Sequence, residues 1–551
     1  MSGLAHRFLT QASKPRNWLV VLLIALAGYR FSLIGSGHCF FADEWAYDCA
    51  APLIDHLSVG EYFFGVIQLY TPSARPGFVL ISVIPTVLQR AAGALAGIDP
   101  GSLRYYDAAA AFNVLVSLGV SGCIFTLGRI WTRSSWHALF ITVVYSLLCN
   151  TNVWIRHLVP YNESLLLLLS ALCIASSEPP SRRQAFYRAL AAGFLSALAF
   201  ACYPAYYLGV LINLAVLLAV FRPRLMAGTA YGAAAASVVA AFELAAWSVG
   251  TSYFAGMLDQ QARQSRWASA PWNQGSVEEG YVFVWRYLKE VEGPVGVFIF
   301  VLFAACVVFV LVRRGRRLPW AARAGTVAAV ACYLLHATRA EVFQSTIFFG
   351  RYFGLYLPFL VCGAVLSLQH IPFPRVRRLT TGAVILVSVW SFADFARRYA
   401  QVTYPADLLE ATMAGSSIDV PIPRHIEGLG PEFAMVVDGL PEGLGTSVAS
   451  HEAARVSGAR FIAVNLKCMY YSPERYEPFA APQGYALVVS AVHPTAFVAT
   501  AFESCPPQVR KRLRERRHTM RIYEQATGGD VGSIHARKSA TPGCHPEDSP
   551  G

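Results

Sequence analysis

The 551-residue chain is 55% hydrophobic and only 14% charged, with a mean hydropathy of +0.43. Soluble domains carry about 25% charged residues, and the deficit here comes from long apolar runs, which excludes an ordinary soluble protein and indicates a polytopic membrane protein. The net charge of +12 would suit nucleic acid, but the basic residues sit in short clusters between apolar runs, which makes them a topology signal and excludes that partner.

In chain order, the first apolar run, Trp18 to Ile34, lacks a small-residue cleavage site and reads as a retained anchor. Further runs lie near 106–128, 134–153, 163–177, 188–203, 205–221, 225–249, 293–312, 320–337, 350–369 and 379–394. One more, Pro76 to Leu95, is ambiguous. If it crosses the bilayer, the later arginine clusters (Arg129/Arg133, Arg182/Arg183/Arg188, Arg222/Arg224, Arg313/Arg314/Arg316/Arg317/Arg323 and Arg375/Arg377/Arg378) face away from the basic N-terminus. If it is juxtamembrane, all share one side with Arg7, Lys14 and Arg16. The positive-inside rule favours the second arrangement. Eleven spans follow, with the N-terminus inside and the C-terminus outside. The outer segments are then 35–105, 154–162, 250–292, 338–349 and everything after about 395.

Past Tyr404 the composition changes. FAMVVDGL, RFIAVNL and YALVVSAV read as short strands, and SHEAARVSGA and PPQVRKRLRERRHTM as helices. The expected organisation is a membrane domain over 1–395, a small α/β extracytoplasmic domain over 396–525 and a disordered tail over 526–551. The twelve cysteines form no CxxC pair. Seven lie in apolar runs as small hydrophobes, while the outer ones leave a Cys39–Cys49 or Cys468–Cys505 bridge open.

The first outer segment contains ADEWAYD. Adjacent carboxylates flanked by aromatics at a membrane surface can serve as general base and metal ligand, because a lowered dielectric raises carboxylate pKa and strengthens metal attraction. They can equally be a solvated loop start. TPSARPGFVLISVIPTVL follows about thirty residues later, then SLRYYDAAAAFNVLVSLGVSGCIFTLGRIW, a basic turn, and a span that leads into WIRHLVPYNESLLLLLSA.

This order resembles the GT-C superfamily of integral-membrane glycosyltransferases, notably the protein O-mannosyltransferase and lipid A aminoarabinose transferase families. The resemblance covers roughly residues 15 to 370. The matching residues are Asp43, Glu44 and Tyr47 in the first loop, Arg75-Pro76 opening a juxtamembrane helix, and Arg156 with Glu163 after the third span. It implies a helical polytopic fold with about eleven transmembrane helices plus juxtamembrane helices, and transfer of a sugar from a polyprenyl-phosphate donor. Asp43 would prepare the acceptor nucleophile, with Glu44 as supporting acid or metal ligand and Glu163 as second acid. Arg75, Arg156 and Arg351 would hold the donor phosphate through charge-assisted hydrogen bonds. Asp48 is either a cavity acid or a helix-start acid.

Two departures matter. Glu163 stands seven residues beyond Arg156, where the family's second acid stands about five beyond. Many relatives also carry a Lys or Arg before the proline of AFACYPAYY, where this chain has Tyr203. Glu243 lies within a predicted span; an acid there costs roughly 2.5–3.5 kcal/mol, so it lines the cavity or bonds a neighbouring helix. His157 and His336 could join Glu44 around a divalent cation, the one cofactor left open. The aromatic loop from Thr251 to Glu292 either caps an acceptor groove or lies on the interface.

The leading expectation is therefore an extracytoplasmic-face glycosyltransferase whose acceptor is a glycan, a lipid or a protein. The competing classes are a transporter or flippase of a lipid-linked intermediate, and an inactive relative that binds a partner. Lys supplies only five of the 45 basic residues, the mark of a GC-rich bacterial genome; the expected location is then a bacterial inner membrane with the active site on the periplasmic or extracellular side, and in a eukaryote the same face would be the ER lumen.

Overall fold

The computed structural model describes residues 14–34, 47, 50–55, 75–98, 103–155, 157–248, 250–268, 280–312, 318–346 and 350–399, together with four strands between 433 and 525. The chain divides into two compact units, one holding the helices and the other the strands.

The helices are α1 Pro15–Phe31, α2 Ala50–Asp55, α3 Pro76–Ala96, α4 Asp107–Thr132, α5 Ser135–Ser146, α6 Cys149–Val153, α7 Tyr161–Ser176, α8 Arg182–Cys202, α9 Tyr207–Val220 and α10 Arg224–Trp247. They continue as α11 Tyr253–Ala268, α12 Phe283–Val291, α13 Gly293–Leu311, α14 Trp320–Glu341, α15 Gly350–Phe353, α16 Leu357–Gln369 and α17 Pro374–Tyr399. Every apolar run anticipated from the sequence overlaps a helix. Among the described residues, six helices are long and apolar enough to cross a membrane: α3, α4, α8, α10, α13 and α17. Five match expected spans, and the sixth, α3, is the ambiguous run. The chain is a helical, multi-pass membrane protein.

Burial separates helices that hydropathy makes look alike. In α16 every residue from Leu357 to Leu368 except Ser367 is buried, so it is a central helix. By contrast only 22% of the span in α17 is buried, and Leu386 and Trp390 stand exposed as lipid-facing side chains would. Small residues bring neighbours close: a Cβ on Gly193 of α8 would stand 2.2 Å from the Tyr231 carbonyl of α10.

The run 134–153, expected as one span, breaks after Ser146. The broken ends are satisfied by side chains. Asn152 donates to the carbonyls of Ser146 (2.9 Å) and Leu148 (2.8 Å), and Thr151 donates to Leu148 (2.8 Å). The same Asn152 accepts from the buried Arg30 at 3.1 Å, whose other nitrogen reaches Ser117 at 2.9 Å. Arg30 thereby ties α1 to α4 and α6. The run 350–369 also breaks, between α15 and α16, where Pro358 opens the second helix.

In the other unit β1 (Phe433–Val437), β2 (Phe461–Asn465), β3 (Tyr485–His493) and β4 (His518–Gln525) form one sheet in the order β1-β2-β4-β3. β1 and β2 are parallel, and β4 runs antiparallel to both β2 and β3. Three strands coincide with the anticipated ones. The fourth is a correction: the basic stretch predicts a helix through His518–Met520, and these residues open β4 instead. The alternation of Met520 and Ile522 with Thr519 and Arg521 has a strand's period, but the preceding basic stretch reads as helical and obscures it. SHEAARVSGA and the tail 526–551 lie outside the described residues.

Candidate functional site

The site is built from the start of α3. Pro76 occupies the first helical position, where its missing N–H costs nothing. Gly77 then packs against the end of α8: a Cβ there would be 2.8 Å from both the Ala201 carbonyl carbon and the Cys202 nitrogen. This contact carries Arg75 over the ring of Tyr203, 5.0 Å from its centroid, with Arg75 itself buried. Phe78 enters a core cluster with Tyr47, Tyr106, Ala109, Leu158 and Cys202. Gly77→Val should therefore separate α3 from α8 and lower stability by about 1–3 kcal/mol, read as a fall in thermal midpoint in detergent.

Tyr47, the one motif residue of the first loop among the described residues, is buried and donates to Gln89 Oε1 of α3 at 2.6 Å. Its ring lies 6.2 Å from Tyr106. Tyr47 is thus fastened to the same helix that Arg75 caps.

Tyr203 is the hub of an aromatic corner. Its ring is 4.9 Å from Tyr161, 4.9 Å from Tyr206 and 5.9 Å from Tyr352. His336 of α14, buried, lies 6.0 Å from Tyr352. A second arginine meets the corner: Arg339 lies 5.4 Å from the centroid of Tyr207 and donates to that hydroxyl. The charge missing from YPAYY in the sequence is supplied in space by Arg75 and Arg339, from elements far away in the chain. The sequence reading did not anticipate Arg339 in this position.

The turn before α7 is organised by Asn113 of α4, another residue the sequence reading missed. Its amide donates toward the carbonyls of Trp154, Ile155 and His157, and its oxygen accepts from Asn162. His157 is held buried in that turn. Glu163 stands in the first turn of α7, buried, with Oε2 lacking a hydrogen-bond partner among the described residues. It stands near Cys202, the neighbour of Tyr203. A buried carboxylate oxygen with free bonding capacity is costly for stability alone. It is also available to a ligand.

Two other acids have structural partners. Glu243 accepts from Ser252 Oγ at 2.7 Å and from the Phe254 N–H at 2.9 Å, so it caps α11. That accounts for its depth without a cavity role. Glu292, between α12 and α13, accepts from the N–H groups of Cys149 (2.7 Å) and Asn150 (3.0 Å). Burial pushes its carboxyl up to about 7, against the lowering effect of those two bonds. Because the folded-state value is raised above an unfolded one near 4.5, its stabilising contribution is complete below pH 4.5 and is lost as pH rises through 7. The full effect is on the order of 3 kcal/mol. The thermal midpoint should fall between pH 5 and 8, and Glu292→Gln should flatten that slope.

Arg75, Tyr47, Glu163 and His336 are therefore joined through the Tyr203 corner and its packing, while Glu243 sits in a helix cap. Asp43, Glu44, Asp48 and Arg156 lie outside the described residues, as does the side chain of Arg351; its backbone belongs to α15, beside Tyr352. Among the described residues no group of three or more His, Cys, Asp or Glu side chains could hold a metal, so His157 and His336 do not form a cation site with a third described ligand. No protein-family model matches the chain, and no curated protein matches it.

Proposed function

We propose that the protein is a GT-C-like membrane glycosyltransferase that moves a sugar from a polyprenyl-phosphate donor to a glycan, lipid or protein acceptor. In this reading the chain has eleven spans with α3 juxtamembrane, a small α/β domain outside the cytoplasm, and a bacterial inner-membrane location with the site on the periplasmic or extracellular side. The observation that carries the reading is the buried Arg75 stacked on Tyr203, with Glu163 and His336 reaching the same corner.

A departing lipid phosphate gains negative charge, and a guanidinium in a water-poor pocket stabilises it with bidentate hydrogen bonds. Asp43, with Glu44 in support, takes the proton from the attacking hydroxyl as the anomeric carbon–phosphate oxygen bond breaks.

The deciding experiment incubates the purified chain in detergent with radiolabelled polyprenyl-phosphate sugars and a membrane-envelope extract. Label on an acceptor supports the transferase. Label that only crosses the bilayer of reconstituted vesicles, with no product in detergent, supports the transporter reading instead.

A further inference from the structure

A groove of 370 Å³ runs between α13, α14 and α16, with the first turn of α12 at one end. Phe300, Phe303, Val307, Val330, Phe353 and Phe359 are among the apolar residues of its wall. Two of its lining residues, Ala304 and Val308, are exposed on the outer surface of the spanning helix α13. Phe300 to Val308 lie within the spanning helix α13, so a water-soluble occupant would have no polar wall to meet and a hydrocarbon chain fits.

The α12 end of the groove supplies the polar terminus. α12 is amphipathic: Phe283, Tyr287, Leu288 and Val291 are buried, while Trp285 and Lys289 are exposed. Tyr333 of the groove wall fastens this helix, accepting from the Val284 N–H at 3.0 Å and donating to the Gly280 carbonyl at 2.9 Å. Trp285 meets the groove residue Phe300 edge-on at 5.1 Å. Lys289 stands one turn further along the same face, with no carboxylate partner among the described residues. An exposed tryptophan that touches the groove wall and an exposed lysine one turn along the same helix, beside the start of a span, are the kind of interfacial anchors that suit a charged lipid.

We propose that this groove seats one acyl chain of an anionic glycerophospholipid, with Lys289 on the head-group phosphate. The inference does not depend on the transferase reading. The lipid would brace α12 against Phe353 and Tyr356, next to the Tyr352 of the aromatic corner.

The test is native mass spectrometry of the purified full chain in detergent with added phosphatidylglycerol, phosphatidylcholine or farnesyl phosphate. Wild type should retain phosphatidylglycerol about fivefold better than phosphatidylcholine, as one lysine at the surface implies. Lys289→Glu should lower phosphatidylglycerol retention on the order of tenfold and leave phosphatidylcholine unchanged. Ala304→Trp, at an exposed position, should abolish both; Val308→Trp is the second groove-filling variant should that protein not fold. Equal retention of the two phospholipids by wild type, or undiminished binding in the groove-filling variants, overturns the proposal. So does displacement of phosphatidylglycerol by farnesyl phosphate, which would give the groove to a prenyl chain.

Discussion

Arg75→Gln should leave the helical unit folded and lower sugar transfer by about 10²–10³-fold, the range for losing one preorganised electrostatic contact to developing charge. Arg75 is 8% exposed and lies over Tyr203, so it acts where water screens little and each contact counts for more. Glutamine keeps much of the volume and a hydrogen-bond donor but removes the charge. Arg75→Lys should recover part of the rate, since it restores the charge without the planar fork that stacks and bonds bidentately. The check is single-turnover kinetics with a labelled donor, alongside the thermal midpoint. A Gln variant that turns over within threefold of wild type removes Arg75 from the mechanism. One that loses rate and thermal midpoint together assigns it to packing.

Hydropathy located the helices because it measures the cost of meeting water. It does not distinguish lipid from protein as the alternative. Leu357–Gln369 and Pro374–Ala396 both read as spans, yet the first is buried on all sides and the second is mostly exposed. The break after Ser146 was written in CNTN, a polar quartet inside an apolar run. Its meaning depends on Glu292 and Arg30, more than a hundred residues away on either side, which bond that stretch. Local pattern cannot show a cap supplied by tertiary contact.

The site divides the same way. Arg75-Pro76 was legible as a helix opening that carries a cation, and α3 begins there. YPAYY was read as lacking charge, which is true of its sequence and misleading about its surroundings, because Arg75 and Arg339 stack on its two ends. Gly77 explains half of this, since only a residue without a Cβ lets α3 lie directly on Ala201 and Cys202. Asn113 was invisible for another reason. A lone Asn in an apolar helix carries no motif, and its importance comes from the carbonyls of the 154–157 turn that converge on it.

Asp43→Asn is the most demanding test of the transferase reading. If Asp43 is the base, its loss should cost about 10²–10⁴-fold in rate, while the nearly isosteric amide changes little but the charge. Tyr47 limits where Asp43 can be. Four residues span at most about 14 Å, and Tyr47 is fixed by its bond to Gln89 and its place beside Phe78. Phe78 itself is only three residues from Arg75. Tyr47 itself is seated beside the helix that follows Arg75, a burial that a solvated collar would not need. Glu44→Gln should cost less than Asp43→Asn, and Asp48→Asn should leave the rate unchanged if Asp48 only begins a helix. Initial rates at saturating donor separate the three. If all three variants transfer sugar normally, the loop has no part in the chemistry. If Arg75→Gln is normal as well, the corner is better explained as the anion path of a transporter.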